Sequence, residues 1–184
     1  MVAHDARSLP LAVLLSRAPS YIVIETYDPT IEDAFSRQLV VEDRMCAVEV
    51  IDTAGQEEFS TLRNQWIRGA EAFVVVYSVT SESSLRSIEK FWQAVQDVKK
   101  NSPPCIVVGN QIDRKLQREV TEAEGAALAR RYGCEHVEAS AKTSQNVLYP
   151  FAHLVSDVRK RRAAQEAEIE EEETATDCGR CFIM

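Results

Sequence analysis

Three short polar segments, each directly after a strand-like apolar run, have residue types that suit nucleotide binding. They read Asp-Thr-Ala-Gly-Gln at 52–56, Asn-Gln-Ile-Asp at 110–113 and Ser-Ala-Lys at 140–142. In open α/β sheets, ligands collect at the carboxyl ends of the strands, where these segments are expected to lie. The three segments are therefore candidates for one common site.

The residue types suggest separate roles within that site. Asp52 is placed to hold Mg²⁺, and Gly55 lets a backbone N–H approach a phosphate closely. Asp113 can accept hydrogen bonds from N1–H and from the N2 amine of guanine, which selects guanine over adenine. The backbone N–H of Ala141 can donate to guanine O6. Each segment alone is a weak signal, because a turn Asp and a turn Gly explain the first equally well.

Strand-like and helix-like segments alternate after residue 21, which is the pattern of an α/β protein with a mostly parallel sheet. Two runs before the first polar segment are joined by only four residues, which favours an antiparallel hairpin. The next two runs are continuous and rich in β-branched residues, as in buried parallel strands. The predicted strands cover residues 34–41, 46–51, 72–78, 105–109 and 136–139.

Two helices are predicted between these strands. The first begins at Ser81 or Ser83 and continues to Lys99, with apolar residues at helical spacing along one side. The second opens with a capping box at Thr121 and stops near Gly133. The apolar stripe of the first helix is interpreted as core.

A closing helix is predicted over residues 146–162, followed by an acidic tail. Seven acidic residues with no intervening Lys or Arg lie between 166 and 177, in a chain of net charge −8. Like charges at this density repel one another and bury nothing, which predicts a solvated, disordered linker. The rest of the chain is nearly neutral, which argues against a nucleic-acid partner. Five cysteines, an odd number, disfavour a disulfide framework and favour a reducing compartment.

The segment Tyr-Asp-Pro-Thr-Ile-Glu-Asp at 27–33 adds a fourth feature. Together with Asp-Thr-Ala-Gly-Gln-Glu-Glu at 52–58 and the segments at 110–113 and 140–142, in this order, it resembles the Ras family of small GTPases. The resemblance runs from about residue 25 to the end of the last helix and resumes at the C-terminus. It implies a Ras-like P-loop NTPase fold: α/β, with a mostly parallel sheet and one antiparallel edge strand, N-terminally incomplete.

By this resemblance the site residues would bind GTP or GDP with Mg²⁺. Thr30 and Asp52 would ligate the metal, and Thr30 would also sense the γ-phosphate. Gly55 would donate its amide to the γ-phosphate, and Gln56 would orient the attacking water. The guanine pocket would consist of Asn110, Asp113, Ser140, Ala141 and Lys142. The first switch and effector loop would contain Tyr27, Asp28, Pro29, Ile31, Glu32 and Asp33.

The sequence departs from the family's pattern in two places. Gln111 stands where the family has Lys, so the ammonium group is absent although the alkyl part of Gln111 can still lie along the base. The family's phosphate-binding loop, G-x-x-x-x-G-K-[ST], should precede residue 27, yet the first Gly is Gly55 and the first Lys is Lys90. Losing four charge-assisted bonds to the phosphates corresponds to roughly 6 to 12 kcal/mol, or about four to eight decades of affinity.

The family's central first strand is also missing from its usual place before that loop. Residues 11–15 are interpreted as a partial mimic of the first helix rather than of this strand. The neighbouring strands are therefore expected to have unpaired backbone groups at the centre of the sheet.

The C-terminal residues Cys181-Phe182-Ile183-Met184 match a C-a-a-X box, and a terminal Met favours farnesyl transfer to Cys181. One lipid chain anchors a protein only reversibly, so a second signal is expected. Cys178, through palmitoylation, suits that role better than the basic cluster at 159–162, because the acidic run lies between that cluster and the C-terminus. The predicted location is the cytoplasmic face of the plasma membrane.

The sequence is divided into an atypical N-terminal segment (1–20), a Ras-like domain (21–164) and an acidic tail with the C-a-a-X box (165–184). The first functional hypothesis is a monomeric, lipid-anchored guanine-nucleotide switch in signal transduction, with effector proteins, exchange factors and GTPase-activating proteins as partners. The alternative is a nucleotide-free binding module that keeps the effector loop. A third interpretation is that the first twenty residues derive from a wrong start or a retained non-coding segment.

Overall fold

The computed structural model describes residues 2–3, 32–53, 60–99 and 101–177, with side chains at 36–51, 64–99 and 101–169. One six-stranded sheet has the order β2-β3-β1-β4-β5-β6. The strands are β1 (Val2–Ala3), β2 (Glu32–Val41), β3 (Arg44–Thr53), β4 (Phe73–Ser78), β5 (Cys105–Asn110) and β6 (Glu135–Glu138). The helices are α1 (Ser60–Gly69), α2 (Glu82–Val98), α3 (Glu122–Arg131) and α4 (Tyr149–Asp177), with a short 3-10 turn at Lys115–Gln117.

The sheet has the predicted α/β arrangement, with β2 as its antiparallel edge strand. β2 and β3 pair antiparallel along their whole length, and all the other pairs of the sheet are parallel. Glu42 and Asp43 form the turn between β2 and β3 with φ values of 54° and 58°, which a type I′ hairpin turn requires. The turn is thus two residues long rather than the four expected, because β3 already begins at Arg44.

The centre of the sheet contains a strand that the sequence did not predict. Val2 pairs with Asp52 and Val74, and Ala3 pairs with Thr53 and Val75. The expectation that β3 and β4 have unpaired backbone groups at these positions was wrong. β1 pairs with both strands, so its backbone N–H and C=O groups bond to those of β3 and β4. Residues 11–15, which were considered for this region, lie outside the described residues.

A cavity of about 410 Å³ lies between β3, the start of β4 and α4. Its apolar lining comes from Val48 and Val50 of β3, Val74 of β4, and Phe151 and Leu154 of α4. Helix α4 therefore forms one wall of this cavity, and β3 and β4 form the other.

The sheet separates two hydrophobic cores, because alternate residues of each buried strand point to opposite faces. On one face, strand residues pack with α4 and the turn before it; on the other, they pack with α1, α2 and α3. The first core includes Val74, Val76, Ile106, Val108, Phe151 and Leu154, and the second includes Ile67, Phe73, Val75, Tyr77, Trp92, Val95 and Ala129. All residues of β4 and β5 are buried, as the continuous apolar runs predicted.

The two central helices begin at the predicted caps. The Ser81 side chain accepts a hydrogen bond from the Ser84 N–H at the start of α2. α2 ends at Val98, one residue before the predicted end, and Lys99 is its C-cap. At the start of α3, Thr121 and Glu124 form the predicted reciprocal capping box. Each cap satisfies N–H groups that have no partner within the helix, so the sequence locates both starts correctly.

Helix α4 differs from its prediction at both ends. It begins at Tyr149, three residues after the predicted start, and continues through the acidic run to Asp177, which contradicts the prediction of a disordered linker. Glu, Ala and Gln are strong helix formers, and adding residues to an existing helix is far easier than starting one. Side chains from residue 160 to 169 are exposed, so this part is solvated as expected. Among the described helices, none is both long and apolar enough to cross a bilayer.

Helix α4 is bonded to the hairpin as well as packed on the sheet. Arg159 donates to the carbonyl oxygens of Val41 at 2.7 Å and Arg44 at 3.3 Å, on the two sides of the hairpin turn. Ser156 donates to the Glu42 carboxylate at 2.6 Å. These bonds fix the hairpin relative to the helix that covers the first core.

We expect Phe151→Ala to lower the free energy of unfolding by about 3–5 kcal/mol, because Phe151 is 4% exposed and its loss leaves a cavity. Leu148→Ala is the matched control, since Leu148 is 40% exposed and its truncation should change stability by less than about 1 kcal/mol. Urea unfolding followed by circular dichroism measures both. Equal effects would contradict the packing of α4 on the sheet.

Candidate functional site

Two loops at the carboxyl ends of β5 and β6 are bonded directly to each other. Ala139 N–H donates to the Gly109 carbonyl at 2.8 Å, and Ile112 N–H donates to the Ala139 carbonyl at 3.3 Å. Parallel neighbouring strands end on the same edge of a sheet, so the segments at 110–113 and 140–142 meet as the sequence predicted. They form the part of the candidate site that the structure describes with side chains.

Asn110 is the central residue of this site. Its side chain is fully buried, and its Oδ1 accepts hydrogen bonds from Gln111 N–H at 2.8 Å and from Ala141 N–H at 3.1 Å. These two bonds orient the amide, because only its oxygen can accept from both N–H groups. Its Nδ2 is buried without a hydrogen-bond partner in the described part of the chain. A buried donor of this kind is costly to leave unpaired and fits the N7 or O6 acceptors of a guanine base.

Asp113 is held next to Asn110 by the second loop. Ser140, which is fully buried, donates to Asp113 Oδ1 at 2.6 Å and accepts from Thr143 N–H at 3.1 Å. An ionised carboxylate has about four acceptor positions, so Asp113 retains the capacity to accept two N–H groups from a base. Ser140 therefore orients Asp113 rather than using up its acceptors.

The turn after β6 is closed by its own hydrogen bonds. Ser140 N–H donates to the Gln145 carbonyl at 3.0 Å, and the Asn146 amide donates to the Glu138 carbonyl at 2.8 Å. Lys142 lies at the exposed tip, whereas Ala141 is buried. The predicted donation from Ala141 N–H to guanine O6 stays a prediction, because that N–H is engaged with Asn110 in this structure.

An ion pair fixes β6 to the chain that follows β5. Arg118 contacts both carboxylate oxygens of Glu138, at 2.6 and 2.8 Å, and also donates to the Val120 carbonyl at 3.0 Å. The hydrogen bond with Glu138 raises the pKa of Arg118. A bidentate pair of this geometry adds orientation as well as energy, so it keeps the loop after β6 in line with the loop after β5.

Gln111, which replaces the family's Lys, is bonded to the end of β4. Gln111 is buried, at 5% exposure. Its Oε1 accepts hydrogen bonds from the Ser78 hydroxyl at 2.6 Å and from the Thr80 hydroxyl at 3.1 Å. The two hydroxyls are themselves 2.7 Å apart. We call this group of Gln111, Ser78 and Thr80 the hydroxyl clamp.

The hydroxyl clamp supports an uncommon backbone conformation. Gln111 has a φ of 71°, in the left-handed region that costs a non-glycine residue roughly 1–3 kcal/mol. This conformation lets Gln111 N–H reach Asn110 Oδ1, so the clamp stabilises the orientation of the central site residue. The clamp was missed in the sequence, although Ser78 ends a buried strand and Thr80 follows it, at a place where polar residues signal a site.

Thr80→Val removes one hydroxyl of the clamp while keeping the shape of the side chain. We expect it to lower the free energy of unfolding by about 1 kcal/mol and to speed amide hydrogen exchange at Gln111 and Ile112, with α2 unchanged. Thr80→Ser keeps the hydroxyl and is the matched control. If both variants exchange alike at these amides, the clamp does not hold the loop.

The other predicted site residues are described in part or not at all. Asp52 lies at the end of β3 and Asp33 pairs with it in the register of the hairpin, while Glu32 pairs with Thr53. This puts the last two effector-loop residues beside the predicted metal ligand in the sheet, although their side chains lie outside the described set. Outside the described residues altogether lie Tyr27, Asp28, Pro29, Thr30, Ile31, Gly55, Gln56, Cys178 and Cys181.

A mostly parallel sheet with polar loops at its carboxyl edge is the arrangement in which α/β proteins bind ligands such as nucleotides. The sequence model of the Ras family matches residues 13–160. Protein ras-2 of Neurospora crassa is 47% identical over 159 residues, which cover 76% of this chain and 69% of the relative. Ras-like protein 1 of Pyricularia oryzae is 46% identical (76% and 66% covered), and a Ras-like protein of Laccaria bicolor is 39% identical (88% and 84% covered). The chain belongs to the Ras family of small GTPases, whose members generally bind guanine nucleotides.

Proposed function

We propose that the protein binds guanine nucleotides as a membrane-anchored molecular switch and hydrolyses GTP. The observation that carries the proposal is the pair of Asn110 and Asp113: a buried amide donor without a partner among the described residues, and an oriented carboxylate three positions further along the same loop. A guanine base presents acceptors on one edge and the N1–H and N2 donors on another, so it complements both groups. Adenine shares the N7 acceptor, but it has an amine in place of O6 and lacks both the N1–H and the N2 donors, so it cannot donate to Asp113 as guanine can.

The segment after β1 lacks the residue types that usually bind phosphates. The residues after β1 read His-Asp-Ala-Arg-Ser-Leu-Pro-Leu-Ala and contain neither Gly nor Lys. Backbone amides brought close by glycines and a Lys ammonium are the usual groups that cradle phosphates. We therefore expect contacts with the base to contribute a larger share of the nucleotide-binding free energy in this protein than in relatives that have a complete phosphate-binding loop.

Hydrolysis rests on residues assigned from the family. Thr30 and Asp52 would hold Mg²⁺, which neutralises charge on the phosphates when bound. Gln56 would orient water, and the amide of Gly55 would bind the terminal phosphate. Mg²⁺ prefers oxygen ligands, and a hydroxyl with a carboxylate suits it.

We expect the purified chain to bind GDP at least about tenfold more tightly than ADP in equilibrium titration with Mg²⁺ present. Asp113→Asn should lower GDP affinity by about tenfold or more and raise the affinity for xanthosine diphosphate, because Asn offers an N–H donor to the O2 that xanthine carries. Asp97→Asn, an exposed carboxylate on α2, is the matched control.

A folded wild-type chain that binds neither GDP nor ADP would contradict the proposal. It would favour the nucleotide-free binding module instead. Equal losses in Asp113→Asn and Asp97→Asn would show that charge in general, rather than base recognition, accounts for the binding.

Membrane attachment is proposed through the C-terminal cysteines. The Cys181 thiol would carry a prenyl group and Cys178 a palmitoyl group, which together give the two signals that stable anchoring takes. The loop at 27–33, ending in β2, would then present effector contacts, with regulators acting on the same region.

We expect Cys181→Ser to shift the chain from the membrane to the soluble fraction of cells, because without prenylation later lipidation has no anchored substrate. Cys178→Ser should keep prenylation but shorten membrane residence, since one chain binds reversibly. Cys46→Ser, in β3, controls for loss of a thiol. Unchanged fractionation of Cys178→Ser would show that Cys178 is not the second signal.

A further inference from the structure

A second cavity lies at the opposite end of the sheet from the guanine site. It has a volume of about 480 Å³ and borders the loop at 101–104, which leads into β5. The guanine site follows the other end of β5, so the two sites are roughly 20 Å apart along the strand. We call this cavity the basal pocket.

Four cationic side chains from three elements line the basal pocket. Arg68 comes from the last turn of α1, Lys99 from the cap of α2, and Arg161 and Arg162 from α4. Glu71 is the one carboxylate among the lining residues. The basal pocket therefore carries a formal charge of +3 in a chain whose net charge is −8.

The bonds made by these cations orient most of them without neutralising them. Lys99 Nζ donates to the Arg68 carbonyl at 2.8 Å, and Arg161 donates to the Ser102 carbonyl at 2.5 Å. Carbonyl oxygens bear no net charge, so these bonds leave both cations uncompensated. Arg162 is the exception, because it contacts both oxygens of Glu71 at 2.6 Å.

Helix ends reduce the positive charge but do not remove it. α1 ends at Gly69 and α2 ends at Val98, and each helix C-terminus carries about half a negative charge. Together they offset about one of the three positive charges, which leaves roughly +2. A phosphomonoester carries about −1.5 to −2 at neutral pH, so one such group balances the basal pocket.

We propose that the basal pocket binds a phosphomonoester group through Lys99 and Arg161, with Arg68 adding charge at the rim. Lys99 has two ammonium protons and Arg161 has four guanidinium N–H groups beyond those bonded to the carbonyls. These donors converge from separate elements on one cavity of a volume that holds small ligands. The site is independent of guanine-nucleotide binding, since it shares no residue with the pocket around Asn110.

The full chain, labelled with ¹⁵N, is titrated with inositol 1,4,5-trisphosphate as the probe. We expect amide shifts at Lys99, Ser102 and Arg161, and none at Asn110 or Ala141. Lys99→Gln and Arg161→Gln should each lower the affinity about tenfold or more, as loss of a charge-assisted bond predicts. Arg161→Lys should retain more affinity than Arg161→Gln because it keeps the charge.

The control is Arg130→Gln, which removes an exposed cation of α3 outside the basal pocket. No shifts in the wild-type chain, shifts spread over all basic residues, or an equal loss of affinity in Arg130→Gln would each overturn the proposal. If the wild-type chain shows no shifts, the cations of the basal pocket serve only to bind helix-terminal and loop carbonyls. The wild-type titration decides the matter even if a variant fails to fold.

Vesicle binding distinguishes two sources of the phosphomonoester, a lipid headgroup and a free phosphorylated metabolite. Recruitment to phosphatidylcholine vesicles that contain a phosphatidylinositol monophosphate, lost in Arg161→Gln, would assign the group to a lipid headgroup. Binding of the soluble probe without vesicle recruitment would assign it to a free phosphorylated metabolite. Equal recruitment by vesicles with phosphatidylserine, which has no phosphomonoester, would contradict the proposed specificity and leave only surface attraction.

Discussion

Pairing of the two residues of β1 on both edges is the contact on which the continuity of the sheet depends. Val2 and Ala3 give β3 and β4 a shared neighbour, and without them the hairpin and the β4–β6 half would each expose a row of backbone groups. Helix α4 supports the same junction, since Arg159 bonds to the hairpin turn while Leu154 packs in the core. The junction also positions Asp52, the predicted metal ligand, because Asp52 pairs with Val2.

In the described part of the candidate site, the side chains are oriented by hydrogen bonds to neighbouring residues. Asn110 is oriented by two backbone amides, Asp113 by a buried serine, and Gln111 by hydroxyls from a neighbouring strand. Such bonds, made before any ligand arrives, reduce the ordering that binding would otherwise require. The hydroxyl clamp also replaces a charged side chain by a neutral network, which removes the need to desolvate an ammonium group at the edge of the site.

Local signals in the sequence were enough for most elements. The caps at Ser81 and Thr121 and the continuous apolar runs of β4 and β5 each depend on neighbours in sequence, and they were predicted correctly. The loops at 110–113 and 140–142 were predicted to meet because parallel strands end on one edge. Features that depend on distant partners were missed: β1 is too short to show a period, and the hydroxyl clamp joins residues 31 to 33 positions apart. Helix α1 was not predicted either.

The length of α4 has a mechanical consequence. The sixteen residues from Arg162 to Asp177 span about 22 Å as a helix, so the acidic run is a rigid extension of α4 rather than a flexible linker. A flexible linker lets a domain tumble independently of its attachment point. A rigid helical extension that is continuous with a helix packed on the sheet restricts the tilt of the domain. Any load applied near Asp177 is therefore transmitted along α4 to Arg159 and from there to the hairpin. The orientation of β2, the strand that contains the last two residues of the predicted effector loop, is thus coupled mechanically to the C-terminal end of α4.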